Sequence, residues 1–134
     1  MRRRRVLIVD DSLTICAMIE TLLTKQRDME VVGVIERPEE AMAAVSRLEP
    51  DVLTLDLAMP GLDGLSLLAT LMRRRPMPVV ILSSAIVQDA EIAKQAIALG
   101  ASACFDKSRL IANADRFVSI VRTARCGKVK VAAA

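Results

Sequence analysis

Apolar segments typical of strands alternate with helical periodicities five times along this chain. The strand-like segments lie near residues 5–10, 30–36, 51–56, 78–83 and 102–105. Each is followed by apolar residues that recur at spacings of three and four, as on one face of an amphipathic helix. Strands joined by helices of this length pair in parallel through right-handed crossovers. The alternation predicts an α/β fold: a doubly wound, five-stranded parallel sheet of (βα)5 type with strand order 2-1-3-4-5.

Proline and glycine punctuate this pattern. Pro38 is predicted to open the second helix, Pro50 and Pro76 to follow the second and third helices, and Gly100 to cap the fourth. With 134 residues the chain suits one domain. We predict that this domain spans residues 1–125. Residues 126–134 lack periodicity and are predicted to form a flexible basic tail.

The composition excludes several classes of function. Only Phe105 and Phe117 are aromatic, so a base-stacking surface, and with it direct binding of nucleic acid, is not expected. No apolar run approaches the length of a membrane span, and the first apolar run is too short for a signal peptide. The chain has three widely spaced cysteines and no histidine, which excludes zinc patterns and His-based catalysis. These features predict a cytoplasmic protein with reduced thiols.

The charge is distributed unevenly along the chain. The formal net charge is +3, but residues 1–5 hold four arginines and residues 122–134 hold four basic and no acidic residues, so the part between them has a charge of −5. Basic ends bind nucleic acid or anionic lipid in some proteins. More often they are solvated and aid solubility, and we favour that interpretation.

Polar residues that could carry chemistry stand where the strand-like segments end. Asp10 and Asp11 follow the first segment, Asp56 ends the third, Ser83 follows the fourth and Lys107 follows the fifth. Parallel strands place these ends at one edge of the sheet, with a ligand-binding crevice between strands one and three. Carboxylates held together repel one another and so favour a divalent cation. Oxygen ligands without His or Cys favour Mg²⁺, with Mn²⁺ as a substitute.

Taken singly, these residues have ordinary explanations. Asp11, Ser12 and Asp63 are helix-capping residue types, Ser83 fits a turn, and Lys107 fits a solvated surface. Their joint placement at the ends of successive buried strands supports one reaction instead. A metal beside a free carboxylate, with hydroxyl and ammonium donors for the remaining oxygens, suits in-line phosphoryl transfer that yields an aspartyl phosphate.

These residues, together with the turn from Met59 to Gly64, resemble the receiver domain of bacterial two-component response regulators. The spacing and order of the motifs agree from about residue 5 to residue 125. Three segments look most like receivers of the chemotaxis methylesterase branch: Val6–Ser12, Asp51–Asp56 and Arg75–Val80. The resemblance implies the flavodoxin-like receiver fold. It implies phosphoryl acceptance rather than a separate catalytic activity, so the chain is not expected to be an enzyme.

The resemblance also implies a role for each site residue. Asp56 is the phosphate acceptor, Ser83 supplies the hydroxyl that moves to the phosphoryl group, and Lys107 pairs with a phosphoryl oxygen. The implied Mg²⁺ site has two direct carboxylates, one backbone carbonyl and one carboxylate that acts through water: Asp11 and Asp56, Ala58, and Asp10.

The partners implied by the resemblance are proteins. A histidine kinase donates the phosphoryl group, and some receivers accept small phosphodonors. Phosphorylation changes the face formed by the fourth helix, fifth strand and fifth helix, which binds a downstream effector. The polar contacts expected on that face come from Glu91, Lys94, Gln95, Arg116 and Arg122. Dimerisation on phosphorylation is left open, as is the alternative that the chain is an isolated N-terminal receiver of a protein-glutamate methylesterase or another multi-domain regulator.

Two positions depart from the family pattern. Ser108 replaces the proline that usually follows the lysine, which predicts a trans peptide bond between Lys107 and Ser108, or a rearranged loop. Cys104 replaces the aromatic residue of the family's switch, which predicts that the signal leaves through the loop from Ser84 to Asp89.

Other proteins with this topology fit the sequence less well. In a flavodoxin the first loop is a Ser/Thr/Gly-rich phosphate cradle, and in a haloacid-dehalogenase-type phosphatase it carries Asp-x-Asp. Here it is Asp10-Asp11-Ser12. A DNA-binding regulator would need a further helical domain.

Overall fold

The computed structural model describes residues 2–59, 63–83 and 90–126. The strands are β1 (Arg4–Val9), β2 (Met29–Ile35), β3 (Val52–Asp56), β4 (Val79–Leu82) and β5 (Ala103–Phe105). The α-helices are α1 (Leu13–Thr24), α2 (Ala41–Leu48), α3 (Gly64–Arg74), α4 (Ala90–Leu99) and α5 (Ala114–Thr123). Short 3-10 turns at Pro38–Glu40 and Lys107–Arg109 precede α2 and α5.

The strands form one sheet with the order β2-β1-β3-β4-β5, and every neighbouring pair is parallel. The predicted doubly wound (βα)5 fold is therefore confirmed. The chain moves outward from β1 to β2 and then returns across β1 to β3. This reversal opens a crevice at the carboxyl ends of β1 and β3.

Both faces of the sheet are buried, which explains why its strands read as continuous apolar runs. Successive side chains of a strand point to opposite faces. Leu7 and Val9 of β1 belong to the core layer under α2, α3 and α4, whereas Val6 and Ile8 belong to the layer under α1 and α5. The polar groups at the strand ends are thus held on a rigid, fully packed support.

Two local features differ from the sequence-based prediction. Pro38 opens a 3-10 turn and not the second helix itself, because Glu40 and the next residue bond to carbonyls three positions back; α2 begins at Ala41. β2 contains a bulge, since Val6 pairs with Val31 whereas Leu7 pairs with Gly33.

Side chains cap the two helices that start nearest the crevice. The Ile15 N–H donates to Ser12 Oγ at 3.3 Å at the start of α1. At the start of α3, Asp63 Oδ1 accepts from the backbone N–H groups of Leu65 at 3.1 Å and Ser66 at 3.4 Å. The capping explanation therefore holds for Ser12 and Asp63.

Some predictions fall outside the described residues. These are the Pro60–Leu62 part of the turn after β3, the output loop from Ser84 to Asp89, and the tail beyond Cys126. The division into a domain of residues 1–125 and a tail of residues 126–134 stays a prediction. Among the described residues, no helix is both long enough and apolar enough to cross a membrane.

Candidate functional site

Three carboxylates meet at the crevice between β1 and β3. Val9 and Leu55 are paired in neighbouring strands, so the residues that follow each of them converge. One carboxylate oxygen each from Asp10, Asp11 and Asp56 lies within 4.8 Å of the others. Asp10 and Asp56 are buried, while Asp11 is exposed. The cluster therefore has a rigid inner pair and a third carboxylate open to solvent.

Lys107 bridges the two buried carboxylates. Its Nζ lies 3.0 Å from Asp10 Oδ2 and 2.9 Å from Asp56 Oδ2. Burial alone would lower the pKa of Lys107, but the hydrogen bonds to Asp56 and Asp10 outweigh it, and the pKa is raised above its ordinary value. The side chain is thus a firmly charged ammonium that joins the ends of β1, β3 and β5.

Burial raises the pKa of Asp10 above its ordinary value. A hydrogen bond from the Ser12 N–H and another from Lys107 act in the opposite direction, while the charge of Asp56 adds to the increase. The raised pKa shows that the ionised form of Asp10 is only partly compensated by its surroundings. An additional positive charge at the site would therefore stabilise the ionised form of Asp10.

The free lone pairs of the site can be located. Asp10 Oδ1 accepts from the Ser12 N–H at 2.8 Å and from Lys107 Nζ at 3.1 Å, and Asp56 Oδ1 accepts from the Ala58 N–H at 2.9 Å. Asp10 Oδ2 is buried and accepts no well-aligned hydrogen bond from the described residues, although Lys107 Nζ is 3.0 Å away. An under-satisfied carboxylate oxygen beside an exposed carboxylate suits a hard cation with oxygen ligands, such as Mg²⁺. The residues present therefore fit the predicted metal.

Ser83 directly follows Leu82, the residue of β4 that pairs with Asp56. Leu82 pairs with Asp56 across β3 and β4, and the Ser83 N–H donates to the Phe105 carbonyl of β5 at 3.3 Å. Ser83 is fully buried. The sheet thus places a hydroxyl residue on the β4 side of Asp56 and Lys107 on the β5 side.

Asp106 positions the lysine, a role that the sequence analysis missed. Its Oδ1 accepts from the Ser108 N–H at 2.9 Å and from the Ser108 hydroxyl at 2.7 Å, which starts the turn that carries Lys107. An aspartate two residues before a serine is the sequence signal for such a turn. The described residues contain no cis peptide bond, so the Lys107–Ser108 bond is trans, as predicted.

Cys16 also contacts the site. Its Sγ donates to the Asp10 carbonyl at 3.4 Å. Burial, with a contribution from the charge of Asp10, raises the pKa of the Cys16 thiol to about 11. The thiol is neutral at physiological pH and supports the backbone of Asp10 without acting as a nucleophile.

An exposed apolar groove adjoins the site. Leu13 and Ile111, which are 67% and 76% exposed, line it together with residues of α1 and the start of α5. Leu13 is two residues from Asp11. Grouped exposed apolar side chains are typical of interaction surfaces, so this groove is a candidate contact surface next to the carboxylates.

Arg122 is not on the predicted effector face. Its Nε donates to Asp28 Oδ2 at 2.7 Å, and its Nη2 donates to Gln26 Oε1 at 2.9 Å. These contacts turn the guanidinium toward the α1–β2 connection. The helical periodicity of α5 could not reveal this, because Asp28 is far away in sequence.

The fold and the site together define a class of protein. The features of a receiver domain are a parallel sheet of order β2-β1-β3-β4-β5, carboxylates at the ends of β1 and β3, a hydroxyl residue after β4 and a lysine after β5. The family model of the response regulator receiver domain matches residues 6–121. The chain therefore belongs to the response regulator receiver domain family.

Similar proteins support the predicted branch of this family. The chain is 39% identical to a protein-glutamate methylesterase/protein-glutamine glutaminase 1 of Albidiferax ferrireducens, covering 100% of this chain and 38% of that protein. It is 44% identical to the Caulobacter vibrioides protein of the same name, covering 80% of this chain and 31% of that protein. The chain thus spans about a third of the length of these relatives.

A solved structure agrees with these relatives. The response regulator domain of Thermotoga maritima CheB superposes with a TM-score of 0.79 at 29% identity, covering 90% of this chain and 96% of that one. The sequence resemblance to the receivers of chemotaxis methylesterases is confirmed.

Proposed function

We propose that this receiver domain accepts a phosphoryl group on Asp56, in a reaction that depends on Mg²⁺. The observation that carries the proposal is the bridge from Lys107 Nζ to Asp56 at 2.9 Å and to Asp10 at 3.0 Å. The bridge holds a fixed cation where the charge of an incoming phosphoryl group would lie.

The strand order supports Asp56 over the other two carboxylates as the acceptor. β3 lies between β1 and β4, so Asp56 has Ser83 on one side and Asp10 on the other. β1 lies between β3 and β2. Since β2 ends at Ile35 and is followed by Glu36, it offers no hydroxyl beside Asp10.

Each residue of the site has a separate role in the phosphoryl transfer. An Asp56 oxygen forms the bond to phosphorus while the bond between phosphorus and the donor's imidazole breaks. The Lys107 ammonium pairs with a phosphoryl oxygen, and the Ser83 hydroxyl donates to another. Asp11 and Asp56, with Asp10 and the backbone of Ala58, would hold Mg²⁺. When bound, Mg²⁺ offsets the negative charge of the phosphoryl oxygens and of the carboxylates.

The donor we propose is the phosphohistidine of a histidine kinase, with small acyl phosphates as substitutes. The exposed Leu13 and Ile111 beside Asp11 support docking of a protein donor at this side of the crevice. The signal then passes to an effector protein through the α4, β5 and α5 face. On that face Cys104 Sγ donates to the Ala93 carbonyl at 3.9 Å, a contact that joins β5 to α4.

A second candidate rests on the length of the relatives. Because the matched methylesterases are about two and a half times as long as this chain, we propose as this second candidate that the domain acts as the regulatory receiver of such an enzyme. Esterase activity would then belong to residues outside this sequence.

The test is intact-mass spectrometry after treatment with acetyl phosphate and Mg²⁺. Wild type is expected to gain one phosphoryl group, and Asp56→Asn none. Asp115→Asn, an exposed aspartate in the first turn of α5, is the matched control and should react like wild type. Equal labelling of Asp56→Asn and wild type would overturn the proposal, as would labelling that persists in a chelator.

A further inference from the structure

Basic residues are concentrated at the edge of the sheet opposite Asp56. Within the described residues, every strand begins and every α-helix ends at this amino edge, defined as residues 2–5, 25–30, 47–51, 73–78, 100–102 and 122–126. The amino edge contains 12 basic and four acidic residues, whereas the rest of the described chain contains five basic and 11 acidic residues. The two parts therefore carry formal charges of +8 and −6.

Most of the positive charge at the amino edge is not neutralised. Two of the four acids are already paired, Asp51 with Arg2 at 2.9 Å and Asp28 with Arg122 at 2.7 Å. Seven basic side chains are exposed and have no ion pair or side-chain hydrogen bond within the described residues: Arg3, Lys25, Arg27, Arg47, Arg73, Arg74 and Arg125.

Helix stability explains only part of this arrangement. Arg47, Arg73 and Arg74 lie in the last turns of α2 and α3, where the partial negative charge of a helix end favours a cation. Arg3 and Arg125 lie outside the helices, so the helix dipoles do not account for them.

We propose that the amino edge binds the surface of an anionic lipid bilayer and leaves the Asp56 edge facing away from it. The seven free cations come from five separate segments spread over one face, which suits a plane of negative charge. The formal charge of −6 on the rest of the described chain favours the same orientation, because an anionic surface repels that part. The arginines of residues 2–5 then lie against the bilayer and are not merely solvated.

Nucleic acid fits the amino edge less well. Single-stranded sites add aromatic side chains on which bases stack, and both phenylalanines of the chain are buried. Readers of duplex DNA place a helix or a two-stranded ribbon in a groove, whereas this face consists of strand starts, helix ends and short connections.

The test is sedimentation with vesicles, using phosphatidylcholine alone or phosphatidylcholine and phosphatidylglycerol in equal parts. The test variant carries Arg3→Gln, Arg27→Gln, Arg73→Gln and Arg74→Gln. The matched control carries Arg37→Gln, Lys94→Gln, Arg109→Gln and Arg116→Gln, four exposed cations outside the amino edge. Thermal melting of both variants checks that they fold.

We expect wild type to bind the anionic vesicles but not the neutral ones, with binding lost at high salt. Because each basic residue near an anionic bilayer contributes a factor of about five, the test variant should bind roughly several hundredfold more weakly. The control variant should stay much closer to wild type. No binding to anionic vesicles, an equal loss in both folded variants, or tighter binding to a DNA duplex at the same salt would each overturn the proposal.

Discussion

Replacing Lys107 with methionine should destabilise the domain by an amount that depends on pH. The substitution keeps the long apolar side chain but removes the ammonium that lies 2.9 Å from Asp56 and 3.0 Å from Asp10. Two nearly buried carboxylates then face each other without a cation. The exposed Lys94 of α4 provides the control substitution Lys94→Met.

The expected size follows from the burial of the three groups. Breaking a buried ion pair by removing one partner costs about 3–5 kcal/mol. The Lys107 side chain is 15% exposed, against 2% and 3% for Asp10 and Asp56, so some screening by solvent places the loss near the lower limit. We expect about 3 kcal/mol at pH 8 in the presence of a chelator, or a fall in Tm of roughly 10 °C for a domain of this size.

The sign of the pH dependence follows from Asp10. Its pKa is already raised in the folded protein by burial, and loss of Lys107 should raise it further. A carboxyl whose folded pKa exceeds its unfolded value of about 3.9 adds stability at low pH, and that stability is lost as the pH rises through the folded pKa. The difference between Lys107→Met and wild type should therefore shrink from pH 8 toward pH 4.

Urea unfolding at several pH values measures this difference directly. Addition of Mg²⁺ should restore more stability to Lys107→Met than to wild type, because a cation then replaces the missing ammonium. A loss that is the same at pH 4 and pH 8, or one no larger than in Lys94→Met, would refute the account of the bridge.

Three further substitutions test separate parts of the structure. Asp10→Asn keeps an acceptor for the Ser12 N–H but removes a carboxylate whose ionised form is disfavoured by burial, so in a chelator it should raise the free energy of unfolding. Calorimetry should show weaker Mg²⁺ binding, and unchanged Mg²⁺ affinity would contradict the ligand set. Gly64→Ala places a Cβ 2.7 Å from the Leu57 Cα. Because the backbone must then move, urea unfolding should show a loss of about 1–3 kcal/mol in the free energy of unfolding. A loss below the error of the measurement would contradict this prediction. Ala58→Asn places a side-chain amide on an exposed residue whose N–H donates to Asp56, where the amide can orient an attacking water. Loss of the phosphoryl group, measured by intact-mass spectrometry, should therefore be several-fold faster. An unchanged rate would contradict this role of position 58.

The sequence predicts the position of the site better than its internal contacts. Strand patterns place Asp10 and Asp56 at the ends of β1 and β3, and the doubly wound strand order makes those strands neighbours. That reasoning uses only local periodicity and topology. It does not specify that Lys107 touches both carboxylates, since this depends on the turn that Asp106 starts after β5.

Contacts between distant parts of the chain were the least predictable. Arg122 was expected on the effector face because of its place on α5, but its partner Asp28 lies 94 residues away. The lack of a side chain at Gly33, beside the bulge, likewise matches a distant residue, because Leu48 Cδ1 would be 2.9 Å from an added Cβ. Helical and strand periodicities report which face of an element is buried, and they do not report which partner a long polar side chain reaches.

Identification of the phosphorylated residue tests the central claim most directly. Protein treated with acetyl phosphate and Mg²⁺ is reduced with borohydride, which converts an aspartyl phosphate to homoserine, and the peptides are sequenced by tandem mass spectrometry. The account predicts homoserine at position 56 and unmodified aspartate at Asp10 and Asp11. Homoserine at Asp10 or Asp11, or phosphorylated protein that yields none at position 56, would contradict it.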